Sequence, residues 1–148
     1  MKTLVIYDSV YGNTEIVART IGDALPGEIE VRRVGQVSAD DWKGVDLLVI
    51  GSPTHGALPT EAVQGLIAKI GAPARKGAKA ATFDTRFTWF FLERWGGFAA
   101  PKMAESLQEK GWTLVGEPGG FFVRGLKKGP LKRGEAERAA EWARGLVE

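Results

Sequence analysis

The residues whose types and spacing could do chemistry lie near the start of the chain, where an apolar run meets a helical pattern. Residues 5–20 read VIYDSVYGNTEIVART. A helix that begins in this segment has backbone N–H groups without intrahelical acceptors, at the positive end of its dipole. Ser9 and Thr14 add hydroxyl donors, and Asn13 can donate from its side chain or cap the helix. Gly12 lets the backbone turn closely. These neutral donors predict a site for a phosphate monoester, although the same residues also fit an ordinary capped helix.

Several other chemistries are excluded by residues that the sequence lacks. The chain has no cysteine, which removes disulfides, thiolate nucleophiles and cysteine-based metal sites. A single histidine, His55, cannot form a histidine-rich metal site. Neither a Walker A loop, nor the dinucleotide fingerprint Gly-x-Gly-x-x-Gly, nor the nucleophile elbow Gly-x-Ser-x-Gly occurs. The third strand ends in Ile50-Gly51-Ser52 rather than in a phosphorylatable aspartate. We therefore predict no metal site and assign no catalytic residue.

Length and composition indicate an ordinary globular protein. The 148 residues are enough for one domain, which we expect to span residues 1–148, and 44% of them are hydrophobic. The charged residues are mixed, 20 basic and 18 acidic, so no broad nucleic-acid surface is expected. No run of 18 apolar residues predicts a membrane span. The first residues become polar too soon for a secretory signal, so we expect a cytoplasmic protein.

The hydrophobic pattern alternates between strands and helices. Short apolar runs predict strands at 3–7, 46–50 and 79–83, and an alternating run predicts a strand at 29–34. A further strand is predicted at 112–116 and 120–123, interrupted by Glu117-Pro118-Gly119. Helical spacing is found at 13–25, 60–71, 100–110 and 134–147, whereas the connection 34–46 has room for only a single turn. This alternation predicts an α/β fold, with a doubly wound, five-stranded, mainly parallel sheet.

Three segments resemble one known family. Ser9-Val10-Tyr11-Gly12-Asn13-Thr14-Glu15 resembles the phosphate loop of the flavodoxins, which holds the 5′-phosphate of FMN without a lysine. Gly51-Ser52-Pro53-Thr54-His55-Gly56 is similar to the second flavin loop of that family, and Lys128-Gly129-Pro130-Leu131 with the final helix is similar to the ending of its short-chain members. The match covers nearly the whole chain in order and spacing. The resemblance implies the strand order 2-1-3-4-5 and FMN as the cofactor.

The resemblance also implies roles for the second loop. Pro53 and Thr54 would line the cofactor site, and Thr54 could hydrogen-bond the flavin or its ribityl chain. His55 stands where many flavodoxins place an aromatic side chain, usually tryptophan, over the ring. The peptide at Gly56 could turn its carbonyl group towards the flavin. The alternative is that His55 is a loop residue with no ligand nearby.

The third loop departs most from the family. Six of the twelve residues from 87 to 98 are aromatic. By position, the resemblance implies that Thr85, Arg86 and Phe87 line the polar edge of the ring and that Trp89 or Phe90 stacks on it or walls a pocket. The alternatives are that this loop packs on its own sheet or forms a homodimer contact.

Three functions follow from these observations. The first is an FMN-binding electron-transfer protein whose partner is a redox protein. The second is an FMN-dependent oxidoreductase acting on a quinone or a similar flat substrate, for which the aromatic loop would provide a hydrophobic pocket. The third is a protein of flavodoxin fold that acts in protein interaction without FMN.

Overall fold

The computed structural model describes residues 1–87, 97–124 and 129–148. Its strands are β1 Lys2–Tyr7, β2 Glu28–Arg33, β3 Leu47–Pro53, β4 Lys79–Arg86, β5 Thr113–Leu114 and β6 Gly119–Phe122. Its α-helices are α1 Asn13–Ala24, α2 Ala39–Trp42, α3 Glu61–Lys69, α4 Ala99–Glu109 and α5 Glu135–Gly145. The predicted helices α1, α3, α4 and α5 are confirmed to within a few residues at each end.

The strands form one parallel sheet in the order β2-β1-β3-β4-β5, with β6 also paired to β4. This confirms the predicted doubly wound sheet. The fifth position is shared, because Thr113 pairs with the first residue of β4 and Gly119 pairs with Phe83 further along the same strand. The broken strand is therefore also confirmed. Its break was predicted slightly too late, since Gly119 is already the first residue of β6.

The central strands are mostly apolar, as expected for strands that helices cover on both faces of the sheet. On one face, Leu4, Leu48 and Ile50 pack in a cluster that includes side chains of α3 and α4. On the other face, Val5 and Val49 pack with side chains of α1 and α5. Successive residues of a strand point to opposite faces, so each central strand supplies both clusters.

The connection between β2 and β3 holds more structure than the single turn expected. A 3₁₀ turn at Val34–Gln36 is followed by the short helix α2, which begins with a capping box between Ser38 and Asp41. Trp42 ends this helix buried in the α3/α4 cluster. In the part of the chain that the structure describes, no helix is long and apolar enough to cross a membrane.

Candidate functional site

The first loop connects β1 to α1 and turns through a left-handed glycine. Gly12 has φ 95°, a conformation that strongly favours glycine, and it is the N-cap of α1 without any side-chain cap. Four backbone N–H groups of this loop and first helical turn have no acceptor among the described residues: those of Val10, Tyr11, Asn13 and Thr14. Unpaired amides at the start of a helix are donors for an anion.

Two polar side chains of this loop brace it. The Ser9 hydroxyl oxygen accepts hydrogen bonds from the amides of Gly12, at 3.1 Å, and Glu15, at 3.3 Å. The Asn13 side-chain amide donates to the Gly129 carbonyl at 2.6 Å. The prediction that Asn13 could cap the helix is wrong, because Asn13 is the first helical residue and its amide bridges to a distant segment of the chain. Neighbouring sequence could not show that partner.

Thr14 joins this loop to the end of β4. Its hydroxyl lies 2.7 Å from the hydroxyl of Thr85, and the two residues are 1% and 5% exposed. Because both hydroxyls are buried and paired, they fix the position of α1 relative to β4. Each hydroxyl oxygen has a second lone pair, and one of the two protons is not used in this bond. The pair can therefore still offer one O–H donor to a ligand.

A pocket opens at the carboxyl ends of β1, β3 and β4, beside these groups. Its lining comes from all three predicted loops: Val10, Tyr11, Asn13, Thr14, Pro53, Thr54, His55, Thr85, Arg86 and Phe87, together with Val123. Ser9, Gly12 and Gly56 lie in the same loops but do not line the pocket. The predicted residue Trp89, and most of the aromatic loop proposed as a dimer contact, lie outside the described residues.

The second loop is a tight turn that α4 holds from two sides. His55 and Leu58 exchange backbone hydrogen bonds of 2.8 and 3.0 Å, and both intervening residues, Gly56 and Ala57, have positive φ of 56° and 69°. This is the pattern of a type I′ turn. The Thr54 hydroxyl accepts the first amide of α4 at 3.1 Å, and the Lys102 ammonium group donates to the Ala57 carbonyl at 2.6 Å. The turn is thus fixed against the pocket.

A buried ion pair forms the wall of the pocket on β4. Arg86 donates from Nε and Nη2 to the carboxylate of Asp84, each at 2.7 Å, and the Ala100 amide donates to the same carboxylate at 2.8 Å. Burial raises the pKa of Asp84 above its usual value, although Arg86 and the Ala100 amide oppose this effect. The guanidinium carbon lies 3.7 Å from the centre of the Phe98 ring. Gly120 leaves room for the guanidinium, because a Cβ there would overlap it. The Arg86 guanidinium is therefore held between the Asp84 carboxylate and the Phe98 ring.

Several residues around the site were not assigned from the sequence: Arg33, Asp84, Lys102 and Val123. For Asp84, the available signal was its spacing of two residues from Arg86, since residues two apart in a strand share a face. The other three contact the site from elements distant in the sequence. Only the pairing of the strands and the packing of α4 bring them there. Among the described residues, no cluster of histidine, aspartate and glutamate could hold a metal ion.

A parallel sheet in this order, with a pocket at the carboxyl ends of its strands, defines a doubly wound α/β protein. Comparison with known proteins narrows this class. A family model described as a flavodoxin domain matches residues 4–91, which is more than half of the chain. The chain therefore belongs to the flavodoxin family.

Relatives and solved structures agree with this assignment. A flavodoxin of Nitratidesulfovibrio vulgaris strain Miyazaki F is 32% identical over 126 residues, covering 74% of this chain and 85% of the relative. A flavodoxin of Maridesulfovibrio salexigens is 28% identical over 126 residues, covering 78% of this chain and 82% of the relative. The fold is shared with the crystal structure of oxidised flavodoxin 1 from Bacillus cereus, with a TM-score of 0.80 at 22% identity over 99% of this chain and 97% of that chain.

Proposed function

We propose that this protein binds FMN and transfers single electrons between redox partner proteins. The observation that carries the proposal is the set of four unpaired amides, at Val10, Tyr11, Asn13 and Thr14, together with the Thr14–Thr85 hydroxyl pair at the start of α1. These donors are neutral, and all four residues line one pocket at the positive end of the helix dipole. This arrangement favours a phosphate site over an ordinary capped helix, because the N-cap residue Gly12 has no side chain that could accept a hydrogen bond from these amides.

The residues of the pocket fit the rest of FMN as well. The phosphate would take the amides of the first loop, and the ribityl chain and ring would extend towards the second and third loops. There, Thr54 and His55 would form one wall, and Arg86 and Phe87 the other. When bound, FMN would supply the electron-accepting chemistry, while the protein fixes its position and controls its exposure to water.

The rigidity of the wall favours an electron carrier. Arg86 is held by both carboxylate oxygens of Asp84 and lies over the Phe98 ring, so it would orient the ring edge rather than move a proton. The turn at His55–Leu58 is tied to α4 through Thr54 and Ala57, which limits how far that wall can move. A preorganised site of this kind lowers the reorganisation that accompanies a change of charge.

The absorbance spectrum of freshly purified protein tests the proposal. We expect flavin bands, and FMN as the flavin released on denaturation. Apoprotein that stays colourless after incubation with FMN would overturn the proposal and would leave the third function, an interaction protein of this fold. Steady-state oxidation of NAD(P)H with a quinone, measured on the holoprotein, should be slow compared with electron exchange with a redox protein. Rapid turnover of the quinone would identify the protein as an oxidoreductase instead.

A further inference from the structure

Arg33 holds both ends of the first loop from the neighbouring strand. It is the last residue of β2, and the parallel register places it beside Tyr7, the last residue of β1. Its Nη1 donates to the Ser9 carbonyl at 2.9 Å, and its Nη2 donates to the Glu15 carboxylate at 3.3 Å. The guanidinium carbon lies 5.3 Å from the centre of the Tyr7 ring. One side chain therefore fixes the start of the loop and the first turn of α1 together.

The same side chain lies between two carboxylates that flank the unpaired amides. Asp8 accepts the Ser9 amide at 2.9 Å and lies 3.7 Å from Nη1 of Arg33. Glu15 pairs with Arg33 on one oxygen and with Arg19, at 3.0 Å, on the other. The hydrogen bond from Arg19 lowers the pKa of Glu15, so Glu15 is ionised at neutral pH. Two negative charges beside the loop would repel a doubly charged ligand unless a cation compensates them.

We propose that Arg33 is a specificity-determining residue of the phosphate site. It positions the loop through the Ser9 carbonyl, and it compensates the charges of Asp8 and Glu15 so that the unpaired amides can donate to a phosphate dianion. The proposal rests on the proposed function, because it concerns the phosphate of the same cofactor. Its consequence is that Arg33 raises the affinity for FMN but not for riboflavin, which has the same ring and no phosphate.

Strand β2 supplies a matched control in the adjacent residue. Arg32 points to the opposite face of the strand and pairs with Glu30 at 2.9 Å and with Asp41 at 3.3 Å, away from the first loop. Arg32→Met and Arg33→Met therefore remove the same charge and the same side-chain type from neighbouring positions. The Arg33 side chain is 41% exposed, so salt should screen part of its effect.

The experiment measures the dissociation constants of FMN and riboflavin for apoprotein by quenching of flavin fluorescence, at low and at high salt. For Arg33→Met we expect the FMN constant to rise about tenfold at low salt and less at high salt, with riboflavin changed less than about twofold. Arg32→Met should change neither ligand. Adding Glu15→Gln to Arg33→Met should restore part of the FMN affinity, because it removes a negative charge that only Arg19 would still offset. An unchanged FMN constant in Arg33→Met, or equal losses for FMN and riboflavin, would overturn the proposal.

A second measurement separates this proposal from the proposed function. Amide hydrogen exchange on the ligand-free protein needs no flavin. Arg33→Met should speed exchange of the Ser9, Gly12 and Glu15 amides, which have acceptors in this loop, more than Arg32→Met does, because only Arg33 holds the Ser9 carbonyl. Equal exchange in the two variants would overturn the positioning role even if FMN binds. If the wild-type protein binds no FMN while exchange behaves as expected, the proposed function fails and the positioning role of Arg33 is retained.

Discussion

Replacing Thr14 by valine tests the phosphate site at its most buried donor. The change keeps the shape of a side chain that is 1% exposed and removes only its hydroxyl. Two effects follow: the hydroxyl pair with Thr85, 2.7 Å apart, is lost, and the phosphate loses an O–H donor. A hydrogen bond to a charged group contributes about 1.5–3 kcal/mol. We therefore expect FMN binding to weaken by roughly ten- to 150-fold, since every 1.4 kcal/mol is about tenfold.

The assay is titration of apoprotein with FMN and with riboflavin, followed by flavin fluorescence. Thr85→Val removes the same hydroxyl pair but leaves the Thr14 hydroxyl available to the phosphate, so it should weaken FMN less than Thr14→Val does. Thr3→Val is a second control, because Thr3 is buried in β1 with a hydroxyl oxygen that has no partner among the described residues. Its FMN constant should match that of the wild-type protein. Equal FMN constants for Thr14→Val and the wild-type protein would refute the reasoning.

Three further predictions concern stability, and urea unfolding measures each of them. Asp84→Asn should lower the free energy of unfolding by about 3–5 kcal/mol, because it leaves the Arg86 guanidinium buried without its counter-charge; a loss below about 1 kcal/mol would contradict this. Ala57→Gly should raise the free energy by about 0.5 kcal/mol, since relief of a positive φ slightly exceeds the added freedom of the unfolded chain; a loss would count against a strained turn. For Glu135, burial would raise the pKa, but hydrogen bonds from Arg138 and from a β6 amide outweigh it, so the pKa is lowered. Its contribution to stability should therefore be present above its usual pKa of about 4.5 and be lost as the pH falls through the lowered value, and Glu135→Gln should remove that dependence.

Local sequence was sufficient for the fold because each central strand is buried on both faces. Continuous apolar runs at residues 4–7 and 47–50 are buried on both faces only between two layers of helices. The turn residues at strand ends then locate the loops that surround the pocket. The first loop was recognisable in this way, from Gly12 and its polar neighbours directly after β1.

The rest of the site depends on contacts between distant segments. The side-chain amide of Asn13 donates to the carbonyl of Gly129, a partner 116 residues away. The role of this side chain, and the absence of a side-chain cap on α1, could therefore not be inferred from nearby residues. Lys102 supports the turn at Ala57 from α4, and Arg33 reaches the first loop from β2. Such contacts depend on the register of parallel strands and on the docking of a helix, which no short pattern encodes.

Calorimetric titration of apoprotein with FMN tests the central claim most directly. The account predicts one FMN per chain, with an affinity that exceeds that for riboflavin because the amides at Val10, Tyr11, Asn13 and Thr14 pair with the phosphate. Absence of heat and of binding with FMN, or equal affinity for FMN and riboflavin, would contradict it.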